Sequence, residues 1–263
     1  MSRLLRELPR RALHLAGVQF TSLYGGSRFL HSRDVPIPAD MDAAFAPIFR
    51  KCTRFTMTSL ERMYGLYKAV GHVVAAGVPG DFVECGVWRG GSAMVIAETL
   101  KSLEVSDRQI YLYDTFKGMA APTDEDNTVL DHVPAHGLWR NKQRATHNDW
   151  CFSPLAEVQE NMRSTGYPFD RVTFVEGKVE ETLPQIAPEA VALLRLDTDW
   201  YESTKSELRH LFPKLSPGGV LIVDDYGYWA GQRKAVDEYL EKHNVAMLLH
   251  RIDNSGRMAI KPA

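Results

Sequence analysis

The chain has 263 residues, 31 Lys and Arg against 33 Asp and Glu, and 44% apolar side chains, the balance of a globular protein able to bury a sizeable core. A formal net charge of -2 argues against a nucleic-acid partner, which selects a basic excess. Collagen-like, disulfide-scaffold and disordered classes are excluded by composition.

Residues 1–33 read as an arm. Arg3, Arg6, Arg10 and Arg11 are interleaved with Leu4, Leu5, Leu8 and Leu13, the pattern of a basic amphipathic helix. It suits packing on the domain or on a second subunit, as in a homo-oligomer, and it also suits contact with a membrane surface. His14 and Gln19 interrupt the apolar stretch that a signal peptide needs, and no run approaches the ~20 apolar residues of a spanning helix. The three cysteines, Cys52, Cys85 and Cys151, form no CxxC pair and read as free thiols of a cytoplasmic protein. After the Pro36 and Pro38 break, residues 41–77 read as helical, with Met57, Leu60, Met63, Tyr64 and Tyr67 at helical spacing.

From Asp81 strands and helices alternate. Strands are expected at 81–85, 110–113, 172–175, 191–196 and 219–223, with closing strands at 245–249 and 258–260. Helices are expected at 92–103, 155–165, 204–215 and 232–243. Residues 117–152, polar and rich in His and Trp, read as a structureless lid inserted in a domain spanning 34–263. This alternation predicts an α/β fold with a parallel sheet covered on both faces and ligands beyond the C-terminal strand ends.

The first such end is Glu84-Cys-Gly86-Val-Trp-Arg-Gly90-Gly91-Ser92. It is neither GxGxxG nor a P-loop. A turn of this kind either admits a nucleoside ligand without pyrophosphate, with Glu84 facing its cationic end, or simply packs strand against helix. Asp114 ends the second strand, where an acid accepts both ribose hydroxyls or caps a helix. Asp197 and Asp199 end the fourth strand, and Asp224 and Asp225 end the fifth. An N-cap role for Asp199 and a turn role for Asp225 account for part of this grouping. Carboxylates gathered beside an apolar core repel and resist desolvation, and a hard divalent cation such as Mg²⁺ resolves the conflict. Arg195 shares a strand face with Asp197 and is expected to pair internally with an acid. His132, His136 and His147, with Trp139 and Trp150, fall in the lid.

The segments ECGVWRGGS (Glu84–Ser92), YDTFKGM (Tyr113–Met119), LRLDTDWYEST (Leu194–Thr204) and LSPGGVLIVDDY (Leu215–Tyr226) together resemble the macrocin O-methyltransferase family, across about Thr56 to Tyr239. The resemblance implies a Rossmann-like, doubly wound, mostly parallel seven-stranded sheet and S-adenosylmethionine- and Mg²⁺-dependent methylation of a small polyhydroxylated acceptor, most often a deoxysugar. It places Glu84, Gly86, Gly90, Gly91 and Ser92 around the methionine part of the cofactor and Asp114 at its ribose. Gly177 and Lys178 would lie near adenine, with Met57 and Thr58 closing over the cofactor. Asp197, Asp224 and Asp225 would hold the metal. Asp197, Asp199 and His147 are rival bases for the acceptor proton. The alternatives are a catechol-type phenol acceptor, whose vicinal oxygens suit the same metal, and a non-catalytic protein at a membrane surface.

Overall fold

The computed structural model describes residues 36–262, so the arm at 1–33 lies outside the described residues. Helix α1 (Phe45–Cys52) and a short 3₁₀ turn (Thr53–Phe55) precede α2 (Leu60–Ala75). The region expected to be helical over 41–77 therefore holds two helices, with Met57 in the break between them. Thr56 is extended, and Ser59 starts α2 afresh by accepting a hydrogen bond from the Arg62 N–H at 3.1 Å.

The strands β1 (Asp81–Cys85), β2 (Ile110–Asp114), β3 (Val172–Glu176), β4 (Val191–Leu196), β5 (Leu215–Val223), β6 (His250–Arg251) and β7 (Arg257–Ile260) form one sheet in the order β3-β2-β1-β4-β5-β7-β6. The pairings from β3 through β5 are parallel, and β7 runs antiparallel to both neighbours. Helices α3 (Gly91–Ser102), α5 (Leu155–Thr165), α7 (Tyr201–Leu211) and α8 (Ala230–Lys242) supply most of the crossovers. The short α6 (Val179–Thr182) follows β3.

Two apolar clusters cover the sheet. One joins Phe82, Ile110 and Leu193 to α1–α3, and the other joins Val83, Leu194 and Leu221 to α7 and α8. Burial on both faces explains why β4 reads VALLRL without polar alternation, Arg195 excepted. The chain reverses direction across the sheet between β1 and β4, and such a switch point opens a crevice at the strand ends.

Two expectations need correction. The lid is not structureless, since α4 (Ala135–Lys142) lies within it, entered through Pro134. Its weak apolar periodicity and internal Gly137 hid it. The strand expected over 245–249 is absent. Pairing with β7 begins only at His250 and spans two residues, because the turn through Asp253 and Gly256 closes the hairpin. No helix among the described residues is long and apolar enough to cross a membrane.

Candidate active site

The switch point is built by close backbone approach. A Cβ at Gly86, where φ is +83°, would lie 2.0 Å from the Asp197 carbonyl oxygen. The bare glycine thus lets the end of β1 pass against the end of β4. At Gly91 a Cβ would meet the Phe55 carbonyl carbon at 2.6 Å, so the segment before α2 lies directly on the glycine-rich turn. There Thr56 hydrogen-bonds Thr58 at 3.0 Å and Ser92 at 3.4 Å, while Met57 stays 36% exposed. Thr58 and Ser92, expected together, meet through Thr56.

Asp114 ties the first two strand ends together. Its Oδ2 accepts the N–H groups of Val87 (2.7 Å) and Trp88 (3.1 Å), and its Oδ1 accepts that of Phe116 (2.7 Å). Burial raises its pKa and these donors oppose the rise. No helix starts there, so the N-cap alternative falls. Gly177 joins the same edge by donating its N–H to the Asp114 carbonyl at 2.9 Å. Lys178 is exposed, and its carbonyl accepts the first hydrogen bonds of α6.

The acids converge at the ends of β4 and β5, neighbours as expected, with Leu196 opposite Val223. Oxygens of Asp197, Asp199 and Asp225 all lie within 4.8 Å of one another. Asp199 reaches this point from a left-handed backbone (φ +69°), and its Oδ2 accepts the Trp229 indole N–H at 3.1 Å. Asp225 accepts from the Ser255 hydroxyl at 3.0 Å, and its N–H donates to Gln232 Oε1 at 2.7 Å. Burial pushes Asp197 and Asp199 well above the usual carboxylate range, with Arg195 opposing the rise at Asp197 and the Asp225 charge adding to it at Asp199. Asp225 is raised by burial and then by the Asp224 charge.

Asp224 stands differently from its neighbours. Its Oδ1 accepts from Arg195 at 2.6 Å and its Oδ2 from Arg62, so both oxygens face guanidinium groups and Asp199 completes the trio. Arg195 is 2% exposed and bridges Glu84 (2.5 Å), Asp197 (2.8 Å) and Asp224. Its expected internal pairing is therefore met three times over. Glu84 is buried against that guanidinium, and burial still lifts its pKa to about 7.

His147 bonds Thr146 and Asp149 and stacks on Phe152, with ring centroids 4.2 Å apart, and none of these contacts is with the three acids. His136 pairs with Asp124. The tryptophans do more. Trp150, Trp200 and Trp229 pack together 5.0 to 6.0 Å apart, and the Trp200 indole N–H donates to the Ala120 carbonyl of the lid. Arg62, Asp253 and Trp229 were not singled out from the sequence. Arg62 reaches Asp224 from 162 positions away, and no local pattern marks it. A cavity of about 500 Å³ lies elsewhere, bounded by Arg50, Lys51, Arg54, Phe55, Met94 and Ser164, with none of the carboxylates on its wall.

The family described as Macrocin-O-methyltransferase (TylF) matches residues 47–259. The mycinamicin III 3''-O-methyltransferase of Micromonospora griseorubida is 36% identical over 203 residues, which is 76% of this chain and 76% of that protein. The 8-demethyl-8-(2,3-dimethoxy-alpha-L-rhamnosyl)-tetracenomycin-C 4'-O-methyltransferase of Streptomyces olivaceus is 36% identical over 201 residues, 76% of this chain and 73% of its own. The solved O-methyltransferase NovP superposes with a TM-score of 0.68 at 32% identity, over 80% of this chain and 83% of its own.

Proposed function

Since the chain belongs to the macrocin O-methyltransferase family, we propose that it transfers the methyl group of S-adenosylmethionine to a hydroxyl of a deoxysugar or glycoside, with Mg²⁺ at the acidic strand ends. The observation that carries this reading is the convergence of Asp197, Asp199 and Asp225 beside the glycine-rich turn. The donor set fits a hard cation. It is all oxygen, the Asp225 charge raises the pKa of both Asp197 and Asp199, and burial raises all three.

When bound, the cation supplies Lewis acidity that makes a sugar hydroxyl a better nucleophile, and the sulfonium supplies the electrophilic methyl. The remaining work belongs to the chain. Asp197 and Asp225 hold the cation. Asp199, with one oxygen fixed by Trp229, takes the acceptor proton on the other. The first N–H groups of α3, which lack helical partners, line the cofactor turn with Gly86, Gly90 and Gly91. Glu84 offsets the positive sulfonium, and Asp114 orders the turn that meets the ribose. Met57 and Thr58 cover the cofactor, and Gly177 with Lys178 borders adenine. Trp150, Trp200 and Trp229 wall the site and hold the lid.

The test is turnover of S-adenosylmethionine with a panel of deoxyhexose glycosides beside a panel of catechols. Methylated glycosides are the expected product. Turnover confined to catechols would overturn the acceptor class.

A further inference from the structure

Tyr228 is not used by this mechanism, yet it is fixed beside the acids. It follows Asp225 by three residues, its N–H donates to the Asp225 carbonyl at 2.9 Å, and its carbonyl accepts from the Val129 N–H of the lid at 2.8 Å. Its ring meets Trp229 edge-on, with centroids 4.9 Å apart and planes at 89°. Trp229 in turn is 5% exposed and bonded to Asp199, so the ring of Tyr228 leans on a rigid support. In spite of this it remains 43% exposed. Along the run of rings through Trp150, Trp200, Trp229 and Tyr228, it alone is in the open.

A rigid, uncovered aromatic face is costly in water and gains most when a ligand covers it. A pyranose presents hydroxyls at its edge and C–H groups on its face. The edge suits carboxylates and a cation, and the face suits an aromatic ring.

We propose that Tyr228 is an acceptor-contact residue, whose ring is the wall on which the C–H face of the acceptor sugar stacks while a hydroxyl reaches the acidic trio. This rests on the functional reading above and adds to it a specificity determinant. The ring, rather than the hydroxyl, makes the contact.

The experiment compares Tyr228→Phe and Tyr228→Leu with the wild-type protein, using whichever deoxyhexose glycoside of the panel the wild type methylates fastest. Tyr228→Leu is expected to raise the glycoside KM about fivefold to tenfold, the scale of an aromatic contact. Tyr228→Phe should hold KM within about twofold. Both should keep kcat and the cofactor Kd, measured by calorimetry, within about twofold. An unchanged KM in Tyr228→Leu overturns the proposal. So does an equal loss in Tyr228→Phe, which would assign the contact to the hydroxyl. A fall in kcat together with weakened cofactor binding would mean that the ring only supports Trp229. Failure of the wild type on every glycoside would overturn the functional reading instead.

Discussion

Arg195→Met isolates what holds the acidic strand ends in place. The guanidinium is 2% exposed and serves Glu84, Asp197 and Asp224 at 2.5, 2.8 and 2.6 Å. Methionine fills much of the same space and offers no donor. Removing one partner from a buried ion pair costs about 3–5 kcal/mol, because the remaining charge stays buried without compensation. Here the loss is spread over three carboxylates, of which Glu84 can escape it by taking up a proton. Glu84 is already raised by burial to about 7 from 4.5, with Arg195 holding it down, and in the variant it must rise further. A group whose folded pKa lies above its unfolded value favours the fold at low pH and loses that contribution as pH climbs through the folded pKa. The variant should therefore show its full deficit of about 3–5 kcal/mol near pH 8 and less than about half of it near pH 5. Urea unfolding at both pH values, followed by tryptophan fluorescence, measures this. A deficit below about 1 kcal/mol near pH 8, or one of equal size near pH 5, would refute the reasoning.

Gly86→Ala places a Cβ 2.0 Å from the Asp197 carbonyl at a φ of +83°, so a thermal melt should fall by at least about 5 °C even without cofactor. An unchanged melt with weakened cofactor binding would mean that Gly86 serves only ligand clearance. Asp114→Ala removes the acceptor for the Val87, Trp88 and Phe116 N–H groups, and calorimetry should show cofactor binding weakened at least about tenfold, alongside a lower melting temperature. Both values unchanged would show that the turns hold themselves. Asp225→Asn should lower kcat/KM at least about 10²-fold while cofactor Kd stays within about threefold, because the glycine-rich turn lies at another strand end.

The alternating core was legible because buried parallel strands read as short apolar runs, as β1, β4 and β5 do. The adjacency of the acids followed from that reading, and so did the internal pairing of Arg195. What escaped depends on contacts distant in sequence. Nothing near Arg62 announces a partner at Asp224, and nothing in a Tyr-Trp pair says that Trp229 will be buried against Asp199 while Tyr228 stays open. The likeness of Asp224 and Asp225 in sequence likewise hides their division of labour, since neighbouring side chains leave a strand end in different directions. The lid helix and the two-residue strand β6 were hidden for a simpler reason, because each is too short to carry a periodic signal.

Metal-dependent methyl transfer to a sugar oxygen is tested by following the methyl itself. Trideuteromethyl-labelled S-adenosylmethionine is incubated with the protein and the glycoside panel, and the products are mapped by mass spectrometry and NMR. The label is expected on a sugar oxygen, to be lost in excess chelator, and to return when Mg²⁺ is restored. Label transfer that persists undiminished in chelator, or label on carbon or nitrogen, would contradict it.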